Sequence, residues 1–481
     1  MNWEKLFKPR SIAVVGASTK TGLNINMFFS SLVTAKFPGR LYPVNRNATE
    51  VLGYTAYRSV RDIPDAVDYV IIAVPRAGII QVIEDCIAKQ VPVAHIFTAG
   101  FGETTTPEGE KLNRELKDLI SGRIRLIGPN CVGIYCPASH MAYLPNQPIV
   151  PGDIGFVSQS GGHNSLFVAT ATSQGLYFSK AVSVGNAMDL GVNDFLEYLE
   201  GDPDSRIIGV YVEGMRNDQG RRFLELVRRI SPKKPVMIMK AGRGEAGARA
   251  AASHTGSMAG TYSIWEDMAA QANAVLVDDY TEMADFVWAY KCIERLSGLR
   301  AGVVAGGGGN SVWTGDTLST LGLTLPPLST DTQKKILSLT DAVGTIARNP
   351  VDPNFSMFDP EAQYGVFTTL DAQPDIDFLV NVGVFDFLYH QTVASGLVTA
   401  GELIQDYVLR LDTIRARVEK PFVSVAFHVS ENADMTAILN RVKHEARAKG
   451  IPCYSSLERM AAAMWRLHGY LVRRNGAGGN A

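Results

Sequence analysis

The sequence contains little cysteine, no long apolar run and no excess of charge of either sign. Its five cysteines are scattered, and none forms a CxxC pair or stands with a nearby histidine as in a zinc set. This usage indicates a reducing, cytoplasmic compartment. No stretch of about 18 apolar residues occurs, and the N-terminus MNWEKLFKPRS is not followed by an apolar signal segment. We therefore expect a soluble chain that is not exported.

The charges balance almost completely, with 46 Lys and Arg against 48 Asp and Glu and a formal net charge of -2. Such a chain has no global field that would hold nucleic acid or an anionic membrane, so its partners must bind at local sites. A length of 481 residues is too great for one core and predicts about three domains. No metal-ligand set is visible in the sequence.

The first 148 residues alternate short β-branched runs with helix-length segments. The runs are SIAVVG (11–16), GRLYPVN (39–45), DYVIIAV (68–74), VAHIFTAG (93–100) and IRLIG (124–128). Strands that are apolar throughout indicate a parallel sheet covered on both faces. Residues 1–148 are therefore predicted to form a Rossmann-like α/β domain.

Two further series of the same kind follow a linker rich in turn formers, PNQPIVPGD (145–153). One series runs from IGFVS (154–158) to AVLVDD (274–279), and the other begins at LRAGVVAGGGG (299–309). They predict parallel-sheet domains over residues 149–298 and 299–475. The remaining residues, 476–481, are expected to be a disordered tail.

A glycine loop follows the first predicted strand in SIAVVGASTKTGLN, with Gly16, Ser18 and Gly22 before a helix. Glycine lets backbone N–H groups approach a phosphate at a helix N-terminus. The second strand ends in Asn45 and Arg46 rather than in the acidic residue typical of NAD enzymes. Arg46 suits the 3'-phosphate of coenzyme A or the 2'-phosphate of NADP, and it is otherwise a solvated loop charge.

Three further loops follow strands whose carboxyl ends would line the same crevice. They are AVPRAG with Val74 and Pro75, TAGFGE with Ala99 and Gly100, and IGPNCVG with Asn130 and Cys131. Cys131 has no neighbouring basic residue to lower the pKa of its thiol, so it is predicted to be structural or in contact with a ligand, and not a nucleophile.

The most unusual segment is AAASHTGSMAG (250–260), which places His254 among small residues that offer it no packing. Taken alone, this histidine could simply point into solvent. Its surroundings carry a resemblance, however. The stretches GAS, YPVN, AVP, AGFGE, IGPNC, SQSGG, VGN, YVEG, KAGRGEAGARAAASHTGSMAG and NPVD occur in the order found in α-subunits of nucleoside-diphosphate-forming acyl-CoA synthetases, relatives of succinyl-CoA synthetase.

This resemblance covers about 470 residues, and it implies a CoA-binding Rossmann-like domain followed by two ligase-type, flavodoxin-like domains. It also implies the reversible conversion of a carboxylic acid, CoA and ATP into acyl-CoA, ADP and phosphate, through an acyl phosphate and a phosphohistidine. By resemblance, His254 is the phosphate carrier and Glu213 holds its second ring nitrogen. Glu213 could instead be an exposed charge where its strand stops.

The segment SQSGGHNS follows the strand IGFVS, so that Ser158, Ser160, Gly161 and Gly162 are expected to bind the phosphate at a helix start. A serine there is also an ordinary N-cap, and the two roles are compatible. His163 departs from the family pattern, and it is expected either to bind the acyl substrate or to cap the helix. Asn186 and Asp189 match a loop near the acyl site in relatives, although Asp189 could also be a helix cap.

The sequence contains neither a GxxxxGK[ST] loop nor a segment resembling an ATP-grasp domain. The resemblance therefore implies an ATP-grasp β-subunit that binds ATP or ADP with Mg²⁺, in an α2β2-type assembly or beside a homodimer of α chains. Two other hypotheses remain at this point. One is a CoA-binding regulatory protein that has lost the chemistry, and the other is an NADP-dependent oxidoreductase, which rests only on the first glycine loop.

Overall fold

The computed structural model describes residues 2–20, 26–104, 106–215, 219–247, 249, 262–341 and 343–477. The chain divides into two compact units, Met1–Tyr280 and Thr281–Ala481. The described residues contain no helix long and apolar enough to cross a membrane. The expected α/β class is confirmed, because parallel sheets dominate both units.

The first unit begins with a parallel sheet whose strands are built from the β-branched runs of the sequence. Its strands and the small hairpin beside it are β1 (Ser11–Val15), β2 (Arg40–Val44), β3 (Glu50–Val51), β4 (Tyr54–Thr55), β5 (Tyr69–Ile72), β6 (Val93–Ile96) and β7 (Arg125–Ile127). The helices are α1 (Trp3–Phe7), α2 (Met27–Thr34), α3 (Ile79–Ala88) and α4 (Pro107–Ile120). In the strand order β2-β1-β5-β6-β7, the chain adds β2 on one side of β1 and then adds β5, β6 and β7 on the other side. Doubly wound sheets bind ligands at such a topological switch point, which lies here between β1 and β5.

The second sheet of this unit repeats that order and adds one antiparallel edge strand. Its strands are β8 (Gly133–Tyr135), β9 (Ile154–Ser158), β10 (Phe178–Ser183), β11 (Ile207–Val212), β12 (Val236–Lys240) and β13 (Val275–Val277), in the order β13-β12-β11-β9-β10-β8. The helices are α5 (Gly161–Ser173), α6 (Val192–Gly201), α7 (Gln219–Ile230) and α8 (Tyr262–Gln271). The next helix, α9 (Tyr280–Cys292), starts at the last residue of this unit and otherwise belongs to the second unit. In this second sheet the switch point lies between β9 and β11.

The edge strand β8 comes from the part of the chain that the sequence assigns to the first domain. It pairs antiparallel with β10, with Tyr135 opposite Ala181. The second sheet thus takes up residues well before the expected boundary at 148/149. Strand pairing, rather than the turn-rich linker, determines where these residues lie.

The second unit contains a parallel sheet with the order β14-β15-β16-β17. Its strands are β14 (Ala301–Ala305), β15 (Phe378–Val384), β16 (Phe422–Phe427) and β17 (Cys453–Tyr454). Its helices are α10 (Gly308–Thr320), α11 (Thr330–Leu339), α12 (Pro360–Asp371), α13 (Phe385–Thr392), α14 (Ala400–Arg417), α15 (Ala433–Ala448) and α16 (Leu457–Ala477). This unit also has a short 3-10 helix at Asn354–Phe358, and the first unit has four, at Val60–Asp62, Arg76–Gly78, Gly102–Thr104 and Pro137–Ser139, among the described residues.

An ion pair buried in the second unit joins α9 to α16. The Arg459 guanidinium forms two hydrogen bonds of 2.6 Å with the Asp285 carboxylate, of which only 1% is exposed. The helix α16 continues through Gly476 and Ala477, two residues into the segment that the sequence expects to be disordered. A terminal glycine costs a helix only about 1 kcal/mol relative to alanine, which the packed turns before it can offset. The last residues, 478–481, lie outside the described chain.

Candidate active site

The loops that follow β9 and β11 meet at the switch point of the second sheet. The side chain of Gln159, directly after β9, accepts hydrogen bonds from the backbone N–H groups of Glu213 at 2.5 Å and Gly214 at 3.2 Å. Its Nε2 donates to the Gly214 carbonyl at 2.8 Å. One amide side chain therefore fixes the loop that carries Glu213 against the loop that begins α5.

A cleft of about 710 Å³ opens at this point. Six of the predicted site residues lie around it, although they come from four separate segments of the chain. They are Asn130, Ser160, Gly161, Gly162, Asn186 and Glu213. The fold thus brings the expected phosphate loop, the expected acid and two polar loop residues to one cleft.

The hydroxyl groups of the expected phosphate loop already have partners within the loop. Ser158 is fully buried, and its hydroxyl donates to the Ser160 carbonyl at 2.7 Å and accepts from the Ser160 N–H. The Ser160 side chain caps α5 by accepting from the His163 N–H at 3.4 Å. The first N–H groups of a helix lack an intrahelical acceptor and carry the positive end of the helix dipole. Gly161 and Gly162 bring such groups to the cleft with no side chain in the way.

Glu213 directly follows β11 and is 6% exposed, so it is a buried carboxylate rather than an exposed one. The Tyr211 hydroxyl donates to its Oε1 at 3.4 Å, and the Lys240 ammonium donates to its backbone carbonyl at 2.9 Å. Burial, and then the negative charge of Glu213, raise the pKa of Tyr211, which keeps that hydroxyl a donor. Burial lowers the pKa of Lys240, and the nearby Glu213 charge opposes this shift.

Two of the residues predicted from the sequence, His254 and Gly22, lie outside the described residues. His163 is described, and its ring does not line the cleft. The ring stacks on Tyr211 with centroids 4.0 Å apart and lies 5.6 Å from Tyr280. Binding of the acyl substrate by His163 stays a prediction.

The first glycine loop is closely packed at the switch point of the first sheet. Gly16 has φ +96°, and a Cβ there would lie 2.3 Å from the Ala73 carbonyl oxygen, so only glycine fits. Its N–H donates to the Val44 carbonyl. The Ser18 hydroxyl accepts from the Lys20 N–H, and the Asn45 side chain donates to the Ala17 carbonyl at 2.7 Å. Asn45 thus ties the end of β2 to this loop, beside the exposed Arg46.

The remaining expected CoA residues follow β5 and β6. Pro75 and Ala99 are exposed at these strand ends. The Val74 carbonyl accepts from the Thr98 hydroxyl at 2.6 Å, which holds the two loops together. The Gly100 carbonyl accepts from Arg76 at 3.1 Å, and its N–H donates to Glu103 at 2.6 Å. The Gly100 backbone groups are therefore engaged within the protein.

Two further residues of the expected site have structural partners. Asp189 accepts two hydrogen bonds, of 2.8 and 3.1 Å, from the Arg125 guanidinium, so it is an ion-pair partner of β7 and not the cap of α6. Cys131 is 3% exposed, and burial raises the pKa of its thiol well above the usual range. That Cys131 is not a nucleophile stays a prediction, which the burial of its thiol supports.

Sequence reasoning missed Gln159, which holds the Glu213 loop, and Glu103, whose carboxylate accepts a hydrogen bond from Asn186 in the cleft wall. Both belong to family motifs, SQSGG and AGFGE, so the signal was present as a long polar side chain beside small loop residues. Each role depends on a partner 54 or 83 residues away, which no local pattern reveals. Among the described residues, no group of three or more potential metal ligands occurs.

The sequence matches two family models, the CoA binding domain over residues 10–137 and the succinyl-CoA ligase like flavodoxin domain over residues 151–290. It is 34% identical to the ADP-forming acetate–CoA ligase II subunit alpha of Pyrococcus furiosus, over 96% of each chain. It is 35% identical to the ADP-forming acetate–CoA ligase I of Archaeoglobus fulgidus, over 73% of this chain and 50% of that protein.

A solved structure matches along the whole chain. It is the acetyl-coenzyme A synthetase 1 of Ca. Korarchaeum cryptofilum in complex with phosphate and ADP, with a TM-score of 0.81, 30% identity and coverage of 100% of this chain and 99% of that one. The parallel sheets and the glycine-lined cleft therefore define a chain of the succinyl-CoA ligase type with a CoA-binding domain. The chain belongs to the family of α-subunits of ADP-forming acyl-CoA ligases, which are acid–thiol ligases.

Proposed function

We propose that this chain carries out acyl and phosphoryl transfer in the reaction of a carboxylic acid, CoA and ATP to acyl-CoA, ADP and phosphate. The observation that carries the proposal is the cleft in which the buried Glu213 and the N-terminus of α5 face the same space. A buried acid can orient an imidazole, and a helix N-terminus can stabilise a phosphoryl group. These are the two requirements of a phosphohistidine that reacts with a carboxylate.

The proposed reaction has three steps. The imidazole of His254 attacks the γ-phosphorus of ATP, and ADP leaves with the electrons of the broken P–O bond. The carboxylate oxygen of the acid then attacks the phosphohistidine and regenerates neutral His254. The CoA thiol attacks the carbonyl carbon of the acyl phosphate, inorganic phosphate leaves with the electrons of the broken C–O bond, and the thiol proton passes to that phosphate. Glu213 accepts the N–H of the second ring nitrogen, and the N–H groups of Gly161 and Gly162 offset the phosphoryl charge.

CoA is proposed to lie along the carboxyl edge of the first sheet. Support comes from the CoA binding domain match over residues 10–137 and from the exposed Arg46, Pro75 and Ala99 at the strand ends. Arg46 would pair with the 3'-phosphate of CoA. The acid would enter the cleft beside Asn186.

The nucleotide is proposed to bind mainly to a partner, an ATP-grasp β-subunit that also holds Mg²⁺, in an α2β2-type assembly. Support comes from the sequence, which contains no phosphate-binding loop of the GxxxxGK[ST] type. The longer Archaeoglobus fulgidus relative, half of which matches this chain, is consistent with the same two parts joined in one chain. A cytoplasmic location is also proposed, since all five cysteines are free thiols.

The test uses this chain co-purified with its partner subunit and ATP labelled at the γ-phosphate. We expect an acid-labile, base-stable phosphoprotein, which is lost in His254→Ala and retained in His390→Ala, a change at an exposed helical histidine. Label that persists in His254→Ala would refute the assignment of the carrier. A wild-type complex that binds CoA but is never phosphorylated would refute the proposed chemistry.

A further inference from the structure

We propose that Glu103 is a positioning residue for thioester formation, which aligns the CoA loop after β6 with the acyl cleft by acting through Asn186. The inference rests on the proposed function, because it assigns CoA to the first sheet and the acyl group to the cleft of the second. Glu103 lies in the loop AGFGE and is half-buried. It is not among the residues that line the cleft.

The Glu103 carboxylate joins loops from the two sheets of the first unit. Its Oε1 accepts from the Gly100 N–H at 2.6 Å, and its Oε2 accepts from the Phe101 N–H at 3.1 Å. The same Oε2 accepts from Nδ2 of Asn186 at 2.5 Å. The first two bonds shape the loop after β6, and the third reaches the loop after β10 in the second sheet.

This contact also fixes which way the Asn186 amide points. A carboxylate only accepts hydrogen bonds, so the Asn186 amide nitrogen must face Glu103. Its Oδ1 is then directed to Nδ2 of Asn130, 3.4 Å away. Asn130 and Asn186 both line the cleft, and the Asn186 N–H donates to the Pro129 carbonyl at 3.0 Å. Glu103 therefore orders a pair of amides in the cleft wall without touching the cleft itself.

The consequence is specific to one step of the reaction. The CoA thiolate and the acyl carbon are carried by different sheets and must approach to about 3–3.5 Å, and a misplacement of about 1 Å costs on the order of 100-fold in rate. Phosphorylation of His254 by ATP needs neither the CoA loop nor the acyl group in position. Loss of the Glu103 contacts should therefore slow thioester formation and leave phosphorylation intact.

The first experiment compares the wild-type complex with Glu103→Gln, using acetate, succinate and phenylacetate as probe acids. We expect the rate of histidine phosphorylation by labelled ATP to stay within about a factor of two, while kcat for thioester formation falls about 10- to 100-fold. The Kd of CoA, measured by calorimetry, should rise several-fold because the CoA loop loses acceptors. Glu108→Gln, an exposed change on the first turn of α4, is the matched control.

Two outcomes would overturn the role of Glu103. One is a variant with wild-type thioester rate and wild-type CoA affinity, and the other is a variant whose phosphorylation falls in the same proportion as its thioester rate, as general damage would produce. A wild-type complex that ATP does not phosphorylate counts against the proposed function instead. If the wild-type complex converts none of the three probe acids, the Kd of CoA alone tests the role of Glu103. An unchanged Kd in Glu103→Gln then overturns the inference.

A second experiment exchanges donor and acceptor across the contact. Asn186→Asp alone places two carboxylates against each other and should lower the thioester rate about 10-fold or more. In the double variant with Glu103→Gln, the glutamine amide can donate to the new carboxylate, and we expect the rate to recover about 10-fold over Asn186→Asp. A double variant whose loss equals the product of the two single losses would show that the two side chains do not act together.

Discussion

Oε1 of Gln159 lies 2.5 Å from the backbone nitrogen of Glu213, and the same oxygen lies 3.2 Å from the nitrogen of Gly214. A side-chain amide is suited to this position because it accepts and donates at once, and its Nε2 donates to the Gly214 carbonyl. The orientation of Glu213 toward the cleft thus depends on a residue from the neighbouring loop.

Gln159→Leu is expected to lower the free energy of unfolding by about 2 kcal/mol, because it leaves backbone groups of Glu213 and Gly214 without their partner. Phosphorylation by ATP should slow as well, since Glu213 loses its support. Chemical denaturation and the labelled-ATP assay measure the two effects. Gln81→Leu, at an exposed position of α3, is the control, and equal effects of the two changes would contradict the role of Gln159.

Glu213→Gln is expected to reduce the rate of histidine phosphorylation about 100-fold or more, because a neutral amide holds and stabilises the reacting imidazole less well. The fold should persist, since the amide can occupy the same space. Single-turnover phosphorylation in the complex measures the rate. Glu225→Gln, at a 65% exposed glutamate of α7, should react as the wild type does, and a wild-type rate in Glu213→Gln would exclude this acid from catalysis.

Gly16→Ala is expected to destabilise the first unit by more than about 2 kcal/mol and to abolish CoA binding, because its Cβ would meet the Ala73 carbonyl. Gly53→Ala is a matched control. It also has a positive φ, +82°, but a Cβ there meets nothing within 4 Å. It should therefore lose only about 1 kcal/mol for the backbone strain. Thermal unfolding and CoA calorimetry would show whether the two variants differ as expected.

The buried imidazole of His95 predicts a dependence of stability on pH. Burial lowers the pKa of His95 to about 4, although its Nε2–H donates a hydrogen bond to the Cys131 carbonyl at 2.9 Å. The unfolded chain binds a proton below about pH 6.5, whereas the folded chain does so only near pH 4. The stability that this residue provides above pH 6.5 is therefore lost as the pH falls toward 4, by up to about 3 kcal/mol.

The comparison of wild type with His95→Gln isolates this effect from other titrating groups. Glutamine cannot take up the proton, so the difference in unfolding free energy between pH 7 and pH 4.5 should be smaller in the variant. Denaturant titrations at both pH values measure it. Identical pH dependence in the two proteins would mean that His95 is protonated in the folded state over the same range as in the unfolded chain.

The order of the strands along the chain could be predicted because their signal is local. Each buried strand is an apolar, β-branched run of a few residues, and each expected site loop follows such a run directly. The carboxyl ends of neighbouring parallel strands share one edge of the sheet. Glu213 and Gly161 could therefore be expected to meet at the switch point between β9 and β11. The match of SQSGG and YVEG to the family motifs pointed to the same cleft.

The α/β class, the succession of parallel sheets and the family follow from short apolar runs and contiguous motifs, so the sequence is enough to predict them. Tertiary packing was needed to show that β8 joins the second sheet, that Asp189 pairs with Arg125, and that Glu103 reaches Asn186. These contacts join residues far apart in the chain. Their energies depend on donor and acceptor geometry after packing, which residue type and spacing do not specify.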